Sequence, residues 1–576
     1  MENICKNKEK ALTGYPSIDK PWLKYYSEEA IESVIPNSSA YEYLVECIGT
    51  HVKDVAIKYM KKRIQYGRLL RYIDMVAEAF EGIGIKQGDT VVLALPNIPE
   101  NVYCIYALNK LGAITNMVDL RAKGDTLVNY LNENNAKVAV VCDLFAENVI
   151  EVVKKTNISK LIITSPYDSL TAPLRLVMKL KRTKVRKTQD MIMWDDFFKH
   201  KKGTKRDVAK NQDDIACIFH TSGTTGTPKG VIMTNRGFNA MVMQYKYCGV
   251  KVTPCDRFLN QVPPFLAYNT IISMHMPLCL HMTVVLLPDY QPDKFAKNIM
   301  KLKINHAFAG PADWGNFLEN RSACTNLSFL QTLASGSDTM AIKVKQEVDE
   351  LVQSCGSNGS VLEGYGMTQI GSAACANLPQ CNVMGSVGIP LPKNTFCVVD
   401  VETGEELTYN KTGEVCMTGP TVMKGYLDQP TETAEVLKKH SDGLVWLHSG
   451  DLGHIDTNGC VYIDGRIKRI IIRHDGIKIS PFNIERIILT HKSVKACCVV
   501  GIKDREHSQG KMAAVYVVPQ NRDNDYELLA EIRRMCEQKL SRTYWPILYE
   551  FIEDLPFTQN GKVDYRRLEE MAAAHR

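Results

Sequence analysis

Between about Tyr41 and Ser165 the chain switches repeatedly between two hydrophobic periods, and few folds accommodate that. "GRLLRYIDMVAEAFEGI" spaces its apolar residues for a helix, and "TVVLAL" is a short apolar run ending before a proline. "PENVYCIYALNKLGAI" is helical again, while "KVAVVC" and "KLIIT" are strands with the helix "LFAENVIEVVKK" between them. Alternation of this kind predicts an α/β sheet with helices on its faces.

At 576 residues the chain is too long for one core, and three or four core-sized units are expected. Residues 174–206 break the alternation with twelve Lys/Arg against three acids. The pattern resumes with "IACIFH", a glycine-rich loop, "GVIM" and a helix capped by Thr234 or Asn235. Near Gly465 the style changes to short β runs among basic residues, then "VKACCVVGI", "MAAVYVV" and the helix "YELLAEIRRMCEQKL". About 110 residues of small α+β domain fit there.

A net charge of +6 from 70 basic and 64 acidic residues is too mild to indicate nucleic acid. Eighteen cysteines include no CxxC pair and no Cys/His cluster with zinc-ligand spacing along the chain. The start "MENICKNKEKALTGYPSIDK" has no signal-peptide pattern, so reduced thiols and a cytoplasmic location are expected. From Phe258 to Pro288 no side chain is formally charged, long enough to span a bilayer. Pro263, Pro264, Pro277, Asn260, Gln261, Asn269, His275 and His281 interrupt that run, which predicts buried strand, turn and helix instead.

The loop is "HTSGTTGTPKG", residues 220–230. Small residues let backbone N–H groups converge on an anion, and hydroxyls and a lysine add donors, so phosphate is the expected ligand. A P-loop needs Gly-Lys-Ser/Thr and opens a helix; here Gly230 follows Lys229, and the loop joins two strands.

"TSGTTGTPKG" resembles the phosphate-loop signature of the AMP-forming adenylating superfamily, which contains acyl-CoA synthetases, peptide-synthetase adenylation domains and beetle luciferases. "GYGMTQ" (364–369), "GEVCMTGPTVMKGYLDQPTET" (413–433), "LHSGDLG" (447–453), "DGRIKRIIIRHDGIKISPFNIE" (464–485) and "LPFTQNGKVDYRRL" (555–568) resemble its other motifs, in the family's order. The resemblance covers roughly residues 40–570, in the style of stand-alone long-chain acyl-CoA synthetases. It implies an α/β fold: a large N-terminal adenylating domain (1–466) of layered sheets, and a small mobile α+β lid (467–576) bearing a catalytic lysine.

The implied chemistry is attack of a carboxylate on the α-phosphate of ATP, then transfer of the acyl group to a thiol, usually coenzyme A. An anionic nucleophile must approach a polyanion, which calls for positive charge and oriented donors. By resemblance, Thr221, Ser222, Gly223, Thr224, Thr225 and Lys229 cradle the β- and γ-phosphates, and Lys562 bridges carboxylate and α-phosphate. Tyr365 stacks on adenine, with Gly336, Glu363, Gly364, Gly366 and Thr368 around the nucleotide. Asp451 accepts the ribose hydroxyls, and Arg466 contacts ribose or phosphate. Lys468 is the hinge, and the loop at Gly476 serves the coenzyme A step after the lid rotates.

Four positions depart from the family pattern. Gln369 stands where a magnesium-binding glutamate is usual, leaving Mg²⁺ to Thr224 and Gln369. Leu266 replaces a histidine gating the acyl pocket, Ser337 the second glycine of "SGG", and Asn483 a glutamate. The acyl pocket is expected from the uncharged segment, with Phe265, Tyr268, Asn269 and Met241 or Met243, walled by "AGPADWGNF" and "ASGSD". An apolar lining favours a fatty or aryl acid. Asp313 is expected as an exposed loop carboxylate, with a substrate amine or hydroxyl as its alternative partner. The expected ligands are therefore ATP, Mg²⁺, coenzyme A and a hydrophobic acid, with no nucleic acid. A carrier protein in trans is the alternative acceptor, because only fourteen residues follow Lys562. A non-catalytic nucleotide-binding homologue is the third class. Residues 170–188 are expected as a solvated basic loop, with weak contact to anionic membranes as the alternative.

Overall fold

A computed structural model describes residues 12–119, 121–179, 185–186, 190–201, 211–221, 228–504, 506–507, 509–520, 525–557 and 563–574. The alternation read from the sequence becomes two large sheets. One runs in the spatial order Gly425–Tyr426, Lys229–Thr234, Ile215–Thr221, Ile114–Met117, Thr90–Ala94, Val138–Cys142, Lys160–Thr164 and Met191–Met193. Its inner strands are parallel, and Val91, Val92, Leu93 and Val138–Cys142 are buried, as strands covered on both faces must be.

The second sheet has Thr283–Leu286 between Val55–Tyr59 and Arg257–Asn260, followed by His306–Ala309, Thr332–Ser335 and Val361–Tyr365, all parallel. One hydrophobic core joins the helices Tyr66–Gly82, Pro99–Lys110 and Asn235–Lys246 to both sheets. Leu69, Ile73, Val76, Ala77 and Phe80 form the buried stripe of the first of these, at the spacing of one helical face. Pro99–Asn109 is buried throughout, so the second is enclosed on all sides. Thr234 is the N-cap of the third, its side chain accepting from the Gly237 N–H.

The uncharged run Phe258–Pro288 folds as a buried strand, the helical stretch Tyr268–Cys279 and the strand Thr283–Leu286. Tyr268–His275 is wound as a π-helix, a wide winding frequent at functional sites. Among the described residues no helix is long and apolar enough to cross a membrane. Of the basic stretch, Ala172–Lys179 is helical; Leu174 and Met178 pack on the core while Leu176 and Val177 are exposed.

A third sheet packs Thr395–Val399, Gly413–Thr418, Val445–Ile455 and Leu437–Lys439 in that order, with Val461–Arg466 paired to Val445–Ile455. Beyond it lies the small C-terminal domain. Its sheet of Val494–Lys503, Lys511–Pro519 and Leu548–Phe551 is covered by the helices Pro481–Ile488, Asp525–Lys539 and Tyr565–Ala574.

Candidate active site

Sequence-distant motif residues meet at the C-terminal ends of the parallel strands Thr332–Ser335 and Val361–Tyr365, where α/β sheets place ligands. Glu363, Gly364 and Tyr365 end the second strand, with Ser335 paired to Glu363. Gly336 leads away from the first. A side chain at Gly366 would sit 1.8 Å from the Ser372 carbonyl oxygen, so only glycine fits that close approach. Thr368 opens the short turn Thr368–Ile370 that carries Gln369.

The third sheet supplies the charge. Asp451 and Arg466 face each other across paired strands, and Arg466 Nε lies 3.0 Å from Asp451 Oδ1. The Tyr365 hydroxyl donates to Asp451 Oδ2 at 2.7 Å. Asp451's side chain is 3% exposed and Arg466's 53%, so the carboxylate is anchored inside while the guanidinium edge stays open to a ligand. Burial, then the neighbouring Asp451 charge, holds the Tyr365 phenol protonated and donating.

Three residues not singled out in the sequence complete the frame. Lys345, buried on the helix Ile342–Ser354, donates to the Val361 carbonyl at 2.6 Å and to Asn382 at 2.8 Å, and pairs with Glu363 at 3.8 Å. Burial raises Glu363 and lowers Lys345, so each ion is only partly compensated by the other. Glu414 accepts from the Gly450 N–H at 2.9 Å, where φ is +71°, and so fixes the strand irregularity that presents Asp451. Tyr426 accepts from Gln369 Nε2 at 2.9 Å, and its ring lies 5.1 Å beneath Lys229 Nζ. Glu414 and Tyr426 belong to the motif at 413–433, so a signal for them was present; Lys345 had none.

Thr221 and Lys229 are paired across an antiparallel hairpin, as expected for a loop joining two strands. Ser222, Gly223, Thr224 and Thr225 lie outside the described residues, as does Lys562. Lys468 lies in the turn Ile467–Arg469, and Gly476, at φ +79°, turns the chain between Ile471–Ile472 and Lys478–Ile479.

Phe265 is buried, with the Arg121 guanidinium 5.5 Å from its ring centre, and Tyr268 begins the π-helix. Asn269 is committed to a buried amide cluster, donating to Asn97 at 2.9 Å, to Asn260 at 2.6 Å and to the Val262 carbonyl. Asp313 corrects its expectation. It is buried in the first turn of the helix Pro311–Glu319, caps the Gly310 N–H at 3.0 Å and accepts from the Tyr290 hydroxyl at 2.7 Å. Capping carboxylates and loop carboxylates look alike in sequence.

The AMP-binding enzyme family model matches residues 46–427, and the AMP-binding enzyme C-terminal domain matches 483–562. The chain belongs to the AMP-binding enzyme family. It is an AMP-forming acid–thiol ligase. Among its relatives in this family is a long-chain-fatty-acid–CoA ligase of Bacillus subtilis, 29% identical over 95% of this chain and 97% of the relative. A 4-coumarate–CoA ligase of Petroselinum crispum is 26% identical over 85% of each. The fold matches an anthranilate CoA ligase solved with anthranoyl-AMP (TM-score 0.80, 19% identity, 95% of this chain and 99% of the other). It also matches ATP-bound MatB from Rhodopseudomonas palustris (TM-score 0.79, 23% identity, 93% and 99%).

Proposed function

We propose that this enzyme joins ATP and a hydrophobic carboxylic acid, fatty or aryl, to an acyl-adenylate and then passes the acyl group to coenzyme A. The observation that carries the reading is the buried Asp451, held by Tyr365 from the end of a parallel strand and by Arg466 across an antiparallel pair. An anchored carboxylate there suits the two hydroxyls of a ribose, and the Tyr365 ring offers a face for adenine. Gly336, Glu363, Gly364, Gly366 and Thr368 would line the nucleotide there. Thr221 and Lys229, with Ser222, Gly223, Thr224 and Thr225, would hold the β- and γ-phosphates.

In the first step a substrate carboxylate oxygen bonds to the α-phosphorus, and the bond to the pyrophosphate oxygen breaks. Arg466 and Lys562 would neutralise the charge that gathers there. In the second, the coenzyme A sulfur bonds to the acyl carbon and AMP leaves. The lid (467–576) would turn about Lys468 between steps, bringing the Gly476 loop to the site. Gln369 donates its amide N–H to Tyr426, which leaves the amide oxygen as a neutral hard ligand. That oxygen, with Thr224, suits Mg²⁺, whose chemistry is to neutralise phosphate charge.

The finer substrate class rests on the apolar segment around Phe265 and Tyr268, with Asn269 buttressing it, and on the fatty-acid and coumarate relatives. The test is acid-dependent ATP–pyrophosphate exchange over a panel of acids, with and without coenzyme A. Lys562→Ala should cut adenylation by about 10²–10³-fold, while thioester formation from pre-made acyl-adenylate falls far less. Equal losses in both half-reactions would overturn the role of Lys562. Exchange without any coenzyme A thioester would move the acceptor to a carrier protein or amine.

A further inference from the structure

The third sheet contains a set of ligating atoms that the nucleotide site does not use. Cys397 pairs with Cys416, and Cys416 with His448, across three adjacent antiparallel strands, so the three residues form one cross-strand row. His440 reaches the same row from the end of the neighbouring strand Leu437–Lys439. Ligating atoms of Cys416, His440 and His448 all lie within 4.8 Å of one another. The chain shows no zinc-like spacing because the grouping is made by strand register rather than by a local motif.

The protonation pattern of the two histidines is informative. His448 Nδ1 hydrogen-bonds Glu414 Oε2 at 2.8 Å, and that carboxylate accepts only from an N–H. With Nδ1 so engaged, Nε2 is the ring nitrogen left to bind a metal once it is deprotonated, and it faces Nε2 of His440 at 3.0 Å. Two ring nitrogens this close share either one N–H hydrogen or a metal ion. Two Zn–N bonds of about 2.0–2.1 Å at a tetrahedral angle set their nitrogens about 3.4 Å apart, a few tenths from the observed spacing.

The rings are already held. His440 stacks on the buried Trp446, centroids 5.3 Å apart and planes 14° from parallel, and Trp446 packs with Cys397 and Cys416. A carboxylate behind a ligating histidine is the usual outer support of zinc sites, fixing the tautomer and raising ring basicity. Cys397 and Cys416 are buried and the two histidines are partly buried, the His448 side chain 9% exposed, which suits a mostly enclosed structural site.

We propose that Cys416, His440 and His448 bind one zinc ion in a tetrahedral site, with Cys397, cross-strand from Cys416 and outside the 4.8 Å grouping, moving in as the fourth ligand. Glu414 contacts both this site and the Gly450 N–H, so the ion would brace the strand that presents Asp451.

The test uses full-length protein stripped with a chelator and titrated with Co²⁺, then with Zn²⁺ in competition. One Co²⁺ per chain should bind with tetrahedral d–d bands and thiolate charge-transfer absorption, and Zn²⁺ should bleach both. Cys416→Ser and His440→Ala should each weaken binding at least 100-fold. Glu414→Gln should weaken it about 10–100-fold. Cys397→Ser should lower the charge-transfer intensity, and an unchanged band would remove Cys397 from the ligand set. His474, Asp504 and His507 form the other candidate group among the described residues, so His507→Ala serves as the control and should change nothing. Absence of a thiolate band in the wild-type protein overturns the proposal and leaves a proton between the rings. Undiminished binding in His440→Ala overturns it equally, whether or not Cys416→Ser folds.

Discussion

Asp451 and Glu100 are both buried carboxylates, 2% and 1% exposed, in opposite surroundings. Asp451 takes a phenol on one oxygen and a guanidinium on the other. Glu100, in the first turn of the enclosed helix Pro99–Lys110, accepts one hydrogen bond, from Ser169, and its second oxygen has no partner. Burial, partly offset by Ser169 and reinforced by Asp168, lifts the Glu100 pKa to about 7. Burial alone therefore makes a carboxylate reluctant to ionise. It is the paired cation and donor that turn a buried carboxylate into a reliable acceptor.

Removing the Asp451 carboxylate should break this contrast most severely. Asp451→Ala strips both Tyr365 and Arg466 of their partner and should lower kcat/KM for ATP by about 10²–10³-fold, given charge-assisted bonds of 1.5–3 kcal/mol each. The acid's KM should move far less. Steady-state kinetics with each substrate varied separates the two, and a matching loss for the acid would contradict a ribose-binding role.

The same kind of deletion at Glu100 should have the reverse sign. Its folded pKa of about 7 lies above the ordinary 4.5, so below 4.5 both states are protonated and stability is undiminished. As pH rises from there toward 7 the unfolded chain ionises and the folded chain does not, and stability falls. Glu100→Gln should thus stabilise the protein by roughly 3 kcal/mol at pH 8 and by almost nothing at pH 4. Urea melts at the two pH values decide it; a destabilised variant at pH 8 would mean that the charge is compensated after all.

A third carboxylate can be introduced where the chain has an amide. Gln369 now donates to Tyr426, whereas a glutamate would accept from the same hydroxyl and bring a formal charge toward the metal. Gln369→Glu should lower the Mg²⁺ concentration for half-maximal adenylation by about 3–10-fold, the direction that ligand charge imposes on a hard cation. A magnesium titration showing no shift, or weaker ATP binding, would take position 369 out of the metal shell.

These contrasts also mark what could be read before folding. The sheet-and-helix alternation from Tyr41 to Ser165 was legible because each segment shows a single period, and the strands Thr90–Ala94, Val138–Cys142 and Lys160–Thr164 appear where expected. Tyr365, Asp451 and Arg466 were legible as members of recognisable motifs, and the structure brings the three side chains together. Lys345, like the partners of Asn269 and the Cys416–His448 row, depends on which strand lies beside which. That register is set by the whole sheet and leaves no local mark. Asp313 failed for another reason: a residue type equally suited to a loop and a helix cap carries no burial signal.

The smallest effect should come from Ser337, which follows Gly336 on the turn leaving Thr332–Ser335. Its φ is +75°, in the left-handed region that favours glycine. A non-glycine residue held there costs about 1–2 kcal/mol locally, while glycine loses more chain entropy on folding, roughly 0.5–1 kcal/mol. Relief of strain should win, and Ser337→Gly should stabilise the fold by about 0.5–1 kcal/mol. Ser337 is exposed, so no packed core contact is lost with the hydroxymethyl group. Unlike Asp451, it should leave the ATP dependence nearly unchanged while raising the unfolding midpoint slightly. A lowered midpoint would show that the serine side chain stabilises this turn by more than its backbone strain costs.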